Sequence, residues 1–223
     1  MDWTALSLSL NLAAVTCAAL IPLAMVIGRW LAWTRIRWKG WAEALIALPL
    51  ILPPTVLGYY FLVAFGNASP IGQAWQSMFG SGLVFTFEAL VVASIIFNLP
   101  FAVQPVQRAF EAIPDDVREA AWCSGLSNLA TLRRIELPLA WPGIVSAVAL
   151  TFAHTLGEFG VVLMVGGNIP GETRTLSLAI YDSMQSFDDR SAGVMSLFLL
   201  ALSFVAIALV YGLARRGQGR THG

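Results

Sequence analysis

Polar and apolar positions in this chain fall into long blocks instead of alternating. Five blocks stay apolar for about 20 residues or more: Ala5–Gly28, Ala44–Phe65, Leu83–Val103, Leu139–Val165 and Ala192–Leu213. A hydrocarbon layer roughly 30 Å thick needs about that length of helix. Lipid offers no partner for backbone N–H and C=O groups, so each block predicts a helix that satisfies its own backbone while crossing a membrane. One polar block is much longer than the rest, from Arg108 to Pro138. The expected fold class is therefore all-α: a polytopic membrane bundle of five transmembrane helices, with residues 1–223 forming one domain.

Composition strengthens this. The chain is 57% hydrophobic and 12% charged, with a mean hydropathy of +0.73, too apolar for a soluble globular domain. Thirteen basic and thirteen acidic residues cancel, so net charge gives no reason to expect nucleic acid as a partner. Their placement carries the information. Arg29, Arg35, Arg37 and Lys39 follow the first block; Arg108, Arg118, Arg133 and Arg134 follow the third; Arg215, Arg216 and Arg220 follow the fifth. Only Arg174 and Arg190 fall on the other side. Basic loops stay in the cytoplasm, which predicts an outer amino terminus and an inner carboxyl terminus. Trp30, Trp33, Trp38 and Trp41 around the first basic loop fit a membrane interface. The first block has no basic leader and is read as a retained span rather than a cleaved signal. Cys17 and Cys123 would lie in different environments and suggest neither a disulfide nor a zinc site.

Prolines interrupt the apolar blocks at Pro22, Pro49, Pro53-Pro54, Pro100 and Pro105. Each frees a carbonyl one turn earlier and kinks a helix, tolerable in hydrocarbon only where protein or a wet cavity supplies a partner. They mark either a pathway or the ordinary enrichment of proline in membrane helices. Inside the long polar block, Pro114-Asp115-Asp116 is a helix opening, which predicts a short helix over Asp115–Ser124 ended by Gly125. A second short helix is expected from Ser127 as N-cap through Leu132-Arg133-Arg134, with Pro138 marking entry into the fourth span. Bent at glycine, the two helices make a knob. Ala120, Ala121, Trp122 and Leu126 give it small and apolar contact surface, and Glu119 offers a carboxylate.

Within the knob, Glu119-Ala120-Ala121, then Gly125, then Ile135, Leu137 and Pro138 repeat at a spacing that resembles the signature loop of the membrane subunits of binding-protein-dependent ABC importers. All seven positions match. The resemblance implies that a cytoplasmic ATPase grips this loop and that the chain performs no catalysis of its own. It further implies a second copy of the chain, two ATP-binding subunits that hold the ATP and magnesium, no cofactor in the chain itself, and an external or periplasmic oxyanion-binding protein. The setting would be a bacterial cytoplasmic (inner) membrane. Leu52-Pro53-Pro54-Thr55-Val56-Leu57-Gly58-Tyr59-Tyr60, Leu156-Gly157-Glu158-Phe159-Gly160 and the run from Gly166 to Leu176 look like the molybdate branch of that family. The implied cargo is molybdate or tungstate. The Gly-Glu-Phe-Gly element is shared with sulfate and thiosulfate permeases, which remain the alternative.

Few ionisable side chains lie inside the spans, and those that do are candidates by default because their burial in lipid is costly. His154 and Glu158 fall four residues apart on one expected helix face, and Glu88 sits near an outer end. Glu158 is either a hydrogen-bonded brace near Gly157 and Gly160 or a substrate contact; His154 either donates to an anion or pairs with Glu158. Asn98 and Gln104 line a path or join two helices. Thr55 is a hydroxyl that could stand in for part of an anion's hydration. Outside the membrane, Thr175–Ser186 predicts a short surface or re-entrant helix, and Asp182, Asp188, Asp189 and Arg190 either meet a soluble protein or are solvated. No zinc-protease, serine-hydrolase or phosphate-loop motif is present, which disfavours an integral-membrane enzyme. An ion-coupled secondary transporter lacks support, since no internal repeat is visible and such a carrier has no use for an ATPase-gripping loop.

Overall fold

The computed structural model describes residues 1–218, so Arg220 lies outside the described residues. Every described element is helical. Helix α1 spans Trp3–Trp33, opened by Asp2, whose carboxylate accepts the Ala5 N–H at 2.9 Å. It exceeds the expected Ala5–Gly28 at both ends, since Arg29 and Trp33 can belong to a helix that has already left hydrocarbon. Its buried residues, among them Ala13, Leu20, Ala24, Gly28 and Leu31, recur at helical spacing as one stripe.

The second apolar block is two helices. Helix α2, Lys39–Ile51, and helix α3, Pro54–Phe65, meet at 108° across Leu52 and Pro53. Pro54 has no N–H to donate and the residue before a proline is pushed out of the helical region, so two successive prolines stop the helix. Pro22, Pro100 and Pro105 by contrast sit inside unbroken helices. A short helix α4, Pro70–Phe79, leads to α5, Phe87–Glu111. Helix α5 starts four residues after the expected Leu83 and continues past Val103, so Arg108 and Glu111 belong to it rather than to the loop.

Helix α6, Asp115–Cys123, matches the first expected loop helix to within a residue. The second differs. Helix α7, Asn128–Thr131, is capped by Ser127 as expected, but it passes through a π turn, Leu132–Glu136, directly into α8, Leu137–Gly157. No break separates loop from span: residues Asn128–Gly157 form one rod. Pro138 does not mark its start. Lacking an N–H, it cannot close the turn onto the Arg134 carbonyl, and the wider π turn lies just upstream, with the Leu137 N–H reaching the Leu132 carbonyl.

The fourth block also breaks. Helix α8 ends at Gly157, Glu158 and Phe159 leave the helical path, and α9 covers only Gly160–Gly166. The segment over Thr175–Ser186 contains helix α10, Leu176–Gln185, which is more than a surface helix: Leu176 and Leu178 are fully buried, while Tyr181 and Met184 are exposed. Helix α11, Asp189–Gln218, completes the described chain and carries Arg215 and Arg216.

Helices α1, α5 and α8 make the principal core, where Leu20, Ala24 and Leu31 meet Ala102, Val106, Phe110, Ala140 and Ile144. Lipid tails are as apolar as leucine, so close packing rather than water exclusion must hold such helices together. Small residues allow it. A Cβ on Gly28 would lie 2.9 Å from Val106 Cγ1, and one on Gly143 would overlap Ala109 Cβ and the Pro105 carbonyl. Beside this core α3 packs on α9, with Leu57, Phe61 and Phe65 against Phe97, Val161 and Val165. The outer faces expose Trp41, Leu45 and Ile51 of α2 and Leu197, Leu200 and Phe204 of α11, an apolar exterior suited to lipid.

Candidate functional site

The signature residues converge on one end of the bundle. Asp115 and Asp116 occupy the first turn of α6, where carboxylates favour the positive helix end. Ser124 ends the helix and Gly125 adopts φ +82°, a left-handed conformation that costs a residue with a Cβ. The turn closes with the Gly125 N–H on the Trp122 carbonyl at 2.9 Å and the Leu126 N–H on the Ala121 carbonyl at 3.1 Å. Ser127 then caps α7 through the Ala130 N–H at 3.3 Å. Glu119, Ala120, Trp122 and Gly125 are exposed; Ala121 is buried against the protein. The knob therefore offers a small, firm surface on which the Asp115, Asp116 and Glu119 carboxylates are exposed. Ile135 and Leu137 are half-buried and Pro138 exposed at the front of α8, so these three shape the rod behind the knob rather than its surface.

Of the six polar candidates in the spans, Asn98 and His154 meet, while Thr55, Glu88, Gln104 and Glu158 stand apart from them. Asn98 is fully buried; its Nδ2 donates to the Ser94 carbonyl at 2.8 Å, which orients the amide so that Oδ1 accepts from His154 Nδ1 at 3.0 Å. The ring of His154 stacks on Phe101 at 4.0 Å between centroids and lies 5.0 Å from Phe97. His154 thus pairs with Asn98 across α5 and α8, not with Glu158. With the Asn98 amide so oriented, the proton shared with Oδ1 lies on His154 Nδ1. Glu158 does not share a helix face with His154, because the helix has ended. Its Oε1 accepts the Val161 N–H at 2.9 Å and its backbone carbonyl accepts from Ser177 Oγ at 2.6 Å, a brace that starts α9 and ties it to α10. Thr55 is exposed in the first turn of α3. Gly160 brings α9 against that same turn: a Cβ there would sit 2.6 Å from Pro54 Cβ. Gln104 is exposed, and Glu88 lies in the first turn of α5.

Three surface hollows, of about 610, 550 and 370 Å³, lie away from Thr55, Asn98, His154 and Glu158. The first is outside, between the start of α1 and the end of α10. There Arg174 Nη2 meets Asp182 at 3.1 Å and Asn168 donates to both oxygens of the same carboxylate at 3.0 Å. Asp182 is thereby committed within the chain, whereas Asp188 and Asp189 are exposed. Among the described residues no group of three His, Cys, Asp or Glu side chains is placed to hold a metal ion.

Comparison with known proteins now fixes the lineage. Residues 21–218 match the family described as binding-protein-dependent transport system inner membrane component. The chain belongs to this family. It is 45% identical over 98% of its length to the molybdenum transport system permease protein ModB of Azotobacter vinelandii, covering 96% of that protein. Identity to ModB of Escherichia coli strain K12 is 32%, with 98% and 96% of the two chains covered. A probable sulfate transport system permease protein, cysT of Chlorella vulgaris, is 29% identical over 83% of this chain and 71% of its own. Solved structures share the fold, among them two ABC transporters. One is a bacterial ABC transporter involved in import of the acidic polysaccharide alginate, with a TM-score of 0.78, 15% identity, and 96% and 78% of the chains covered. The other is the inward-facing MetNI methionine ABC transporter, with a TM-score of 0.70, 17% identity, and 97% and 94% covered. The chain is thus an all-helical inner-membrane permease component.

Proposed function

We propose that this chain is the permease subunit of an ATP-driven importer of molybdate, with tungstate as a close analogue, working as a pair with two cytoplasmic ATP-binding subunits and an external oxyanion-binding protein. The observation that carries the proposal is the 45% identity to a molybdenum permease along 98% of the chain, against 29% for a sulfate permease over a shorter match. The exposed knob of Glu119, Ala120, Trp122 and Gly125 supports docking to an ATPase, since a short helix ended by a left-handed glycine presents a firm convex surface to a groove. Closing of the ATPases on ATP then moves the knobs of the two copies and exposes the path alternately to each side. The coupling is the difference in ATP affinity between those states.

A passing dianion needs weak contacts, because a deep well would hold it. The sequence blocks 5–28, 44–65 and 192–213 carry no formally charged side chain, which agrees with that requirement. The Thr55 hydroxyl beside the α3 N-terminus suits a transient contact, whereas Asn98, His154 and Glu158 are engaged with one another or with backbone. Vesicles containing the reconstituted complex should take up molybdate in preference to sulfate at equal concentration, and only with ATP. Preferential sulfate uptake moves the chain to the sulfate branch; uptake without any ATPase subunit removes the importer reading.

A further inference from the structure

A charge cluster at the inner end of the bundle goes beyond the signature. Glu136, the last residue of the π turn, is fully buried. Its Oε2 accepts from Arg29 Nε at 2.7 Å and its Oε1 from Arg29 Nη2 at 3.3 Å, so the guanidinium meets the carboxylate as a fork. Oε1 also accepts from Arg118 Nε at 3.2 Å. The Arg118 guanidinium lies 3.7 Å from the centre of the Trp33 ring and 5.0 Å from that of Trp122, with Arg29 5.0 Å from Trp33. Trp33 stands edge-on to Phe110 at 5.4 Å. One carboxylate and one indole thus join the ends of α1 and α5, the middle of α6 and the front of α8.

Stability alone does not explain such a group. Taking ions out of water is costly, and well-packed apolar side chains of similar volume often hold a protein equally well. Fixed direction is what charges add: a forked guanidinium accepts one approach plane, and an arginine stacked on an indole one azimuth. The backbone of α6 leans chiefly on α7 and the π turn, so its tie to α1 runs through Arg118. A π turn is also an uncommon, functionally placed irregularity, here delivering Glu136 to both arginines.

We propose that Arg29, Arg118 and Glu136 are positioning residues forming a rigid joint, which makes α6 move with α1 and α8 as one body. The proposal rests on reading α6 as the surface a partner displaces. It predicts that breaking the joint leaves the ATPase docked while movement of the knob no longer reaches the spans.

The test uses the full chain carrying Cys17→Ala, with nitroxide labels on the native Cys123 at the end of α6 and on Thr4→Cys at the outer start of α1. Pulsed electron resonance then reads the distance between them. Glu136→Gln should broaden the distance distribution about twofold, since a neutral amide takes the carboxylate from Arg29 and leaves Arg118 only the exposed Asp115 carboxylate at 3.7 Å. The triple variant Arg29→Met, Arg118→Met, Glu136→Leu fills the space without charge and guards against simple unfolding. It should recover thermal stability yet keep the broad distribution, and in the reconstituted complex should hydrolyse ATP with lowered uptake per ATP. A distribution as narrow as the wild type in either variant overturns the joint. Wild-type complex that carries no oxyanion overturns the transport reading instead, and the label distances, which need no cargo, still decide the joint.

Discussion

At Gly125 nothing lies within 4 Å of where a Cβ would be, yet the backbone is left-handed, so any cost of substitution comes from φ and not from crowding. Gly125→Val should lose about 1–2 kcal/mol and Gly125→Asn much less, because asparagine tolerates that region. Melting temperatures of the two purified variants check this, and equal losses would point to steric contact instead. That glycine, the N-cap Ser127 and the acidic first turn of α6 were legible in the sequence because each acts within a few residues. Glu136 was not. Its partners stand 18 and 107 positions away, and the letter between Ile135 and Leu137 has no local pattern to betray it. At the other end of the molecule, the Asp188 carboxyl lies below the usual aspartate range because Ser191 donates to it, through its hydroxyl and then its backbone N–H at 3.1 Å. A lowered folded value means the contact is complete above the ordinary aspartate value of about 4 and is lost as pH falls through the lowered one. Protection of the Ser191 amide, relative to its intrinsic exchange rate, should hold at neutral pH and fall in acid; protection that instead falls with rising pH contradicts the assignment.

At the scale of elements, hydropathy located all the apolar blocks and missed what happens inside two of them. Both halves of a broken helix can be apolar, so a sum along the chain is blind to the corner. Pro53-Pro54 announced one corner. No proline marks the other, at Glu158-Phe159, which depends on a carboxylate able to start α9 and on Gly160 approaching Pro54. The two glycines flanking that corner separate the causes. A Cβ at Gly157 meets nothing within 4 Å, whereas one at Gly160 would lie 2.6 Å from Pro54 Cβ. Gly157→Ala should leave stability nearly unchanged, and Gly160→Ala should cost about 1–3 kcal/mol by forcing α3 and α9 apart. Thermal unfolding of the purified variants in one detergent distinguishes them, and a reversed order would mean that α9 is not seated against α3 as described. The continuous rod from α7 to α8 was hidden for a related reason: Pro138 reads as a helix boundary, but a π turn absorbs it.

For the whole molecule, the question left by the 108° corner is whether α2 and α3 together cross the membrane or dip in and return. Helix directions answer it. Gly28 near the end of α1 abuts Val106 and Gln107 near the end of α5, and Trp33 meets Phe110, so α1 and α5 run parallel with their ends together. A chain that descends twice must climb once between. Residues Lys39–Phe65 are the apolar stretch long enough to make that return, although four helices alone pass as straight spans. The remaining directions agree: Gly143 at the front of α8 lies by Pro105 and Ala109, and the Phe85 N–H before α5 reaches the Val165 carbonyl in α9 at 3.0 Å. Five crossings follow, and the basic residues set the shared end of α1 and α5 on the cytoplasmic side. Ser81, exposed between α4 and α5, must then face outward, while the native exposed Cys123 faces the cytoplasm. A membrane-impermeant thiol reagent applied to intact cells should label Ser81→Cys and reach Cys123 only after permeabilisation. Protection of Ser81→Cys in intact cells would make α2 and α3 a re-entrant loop, and would require α1 to cross in the direction opposite to α5 despite their parallel packing.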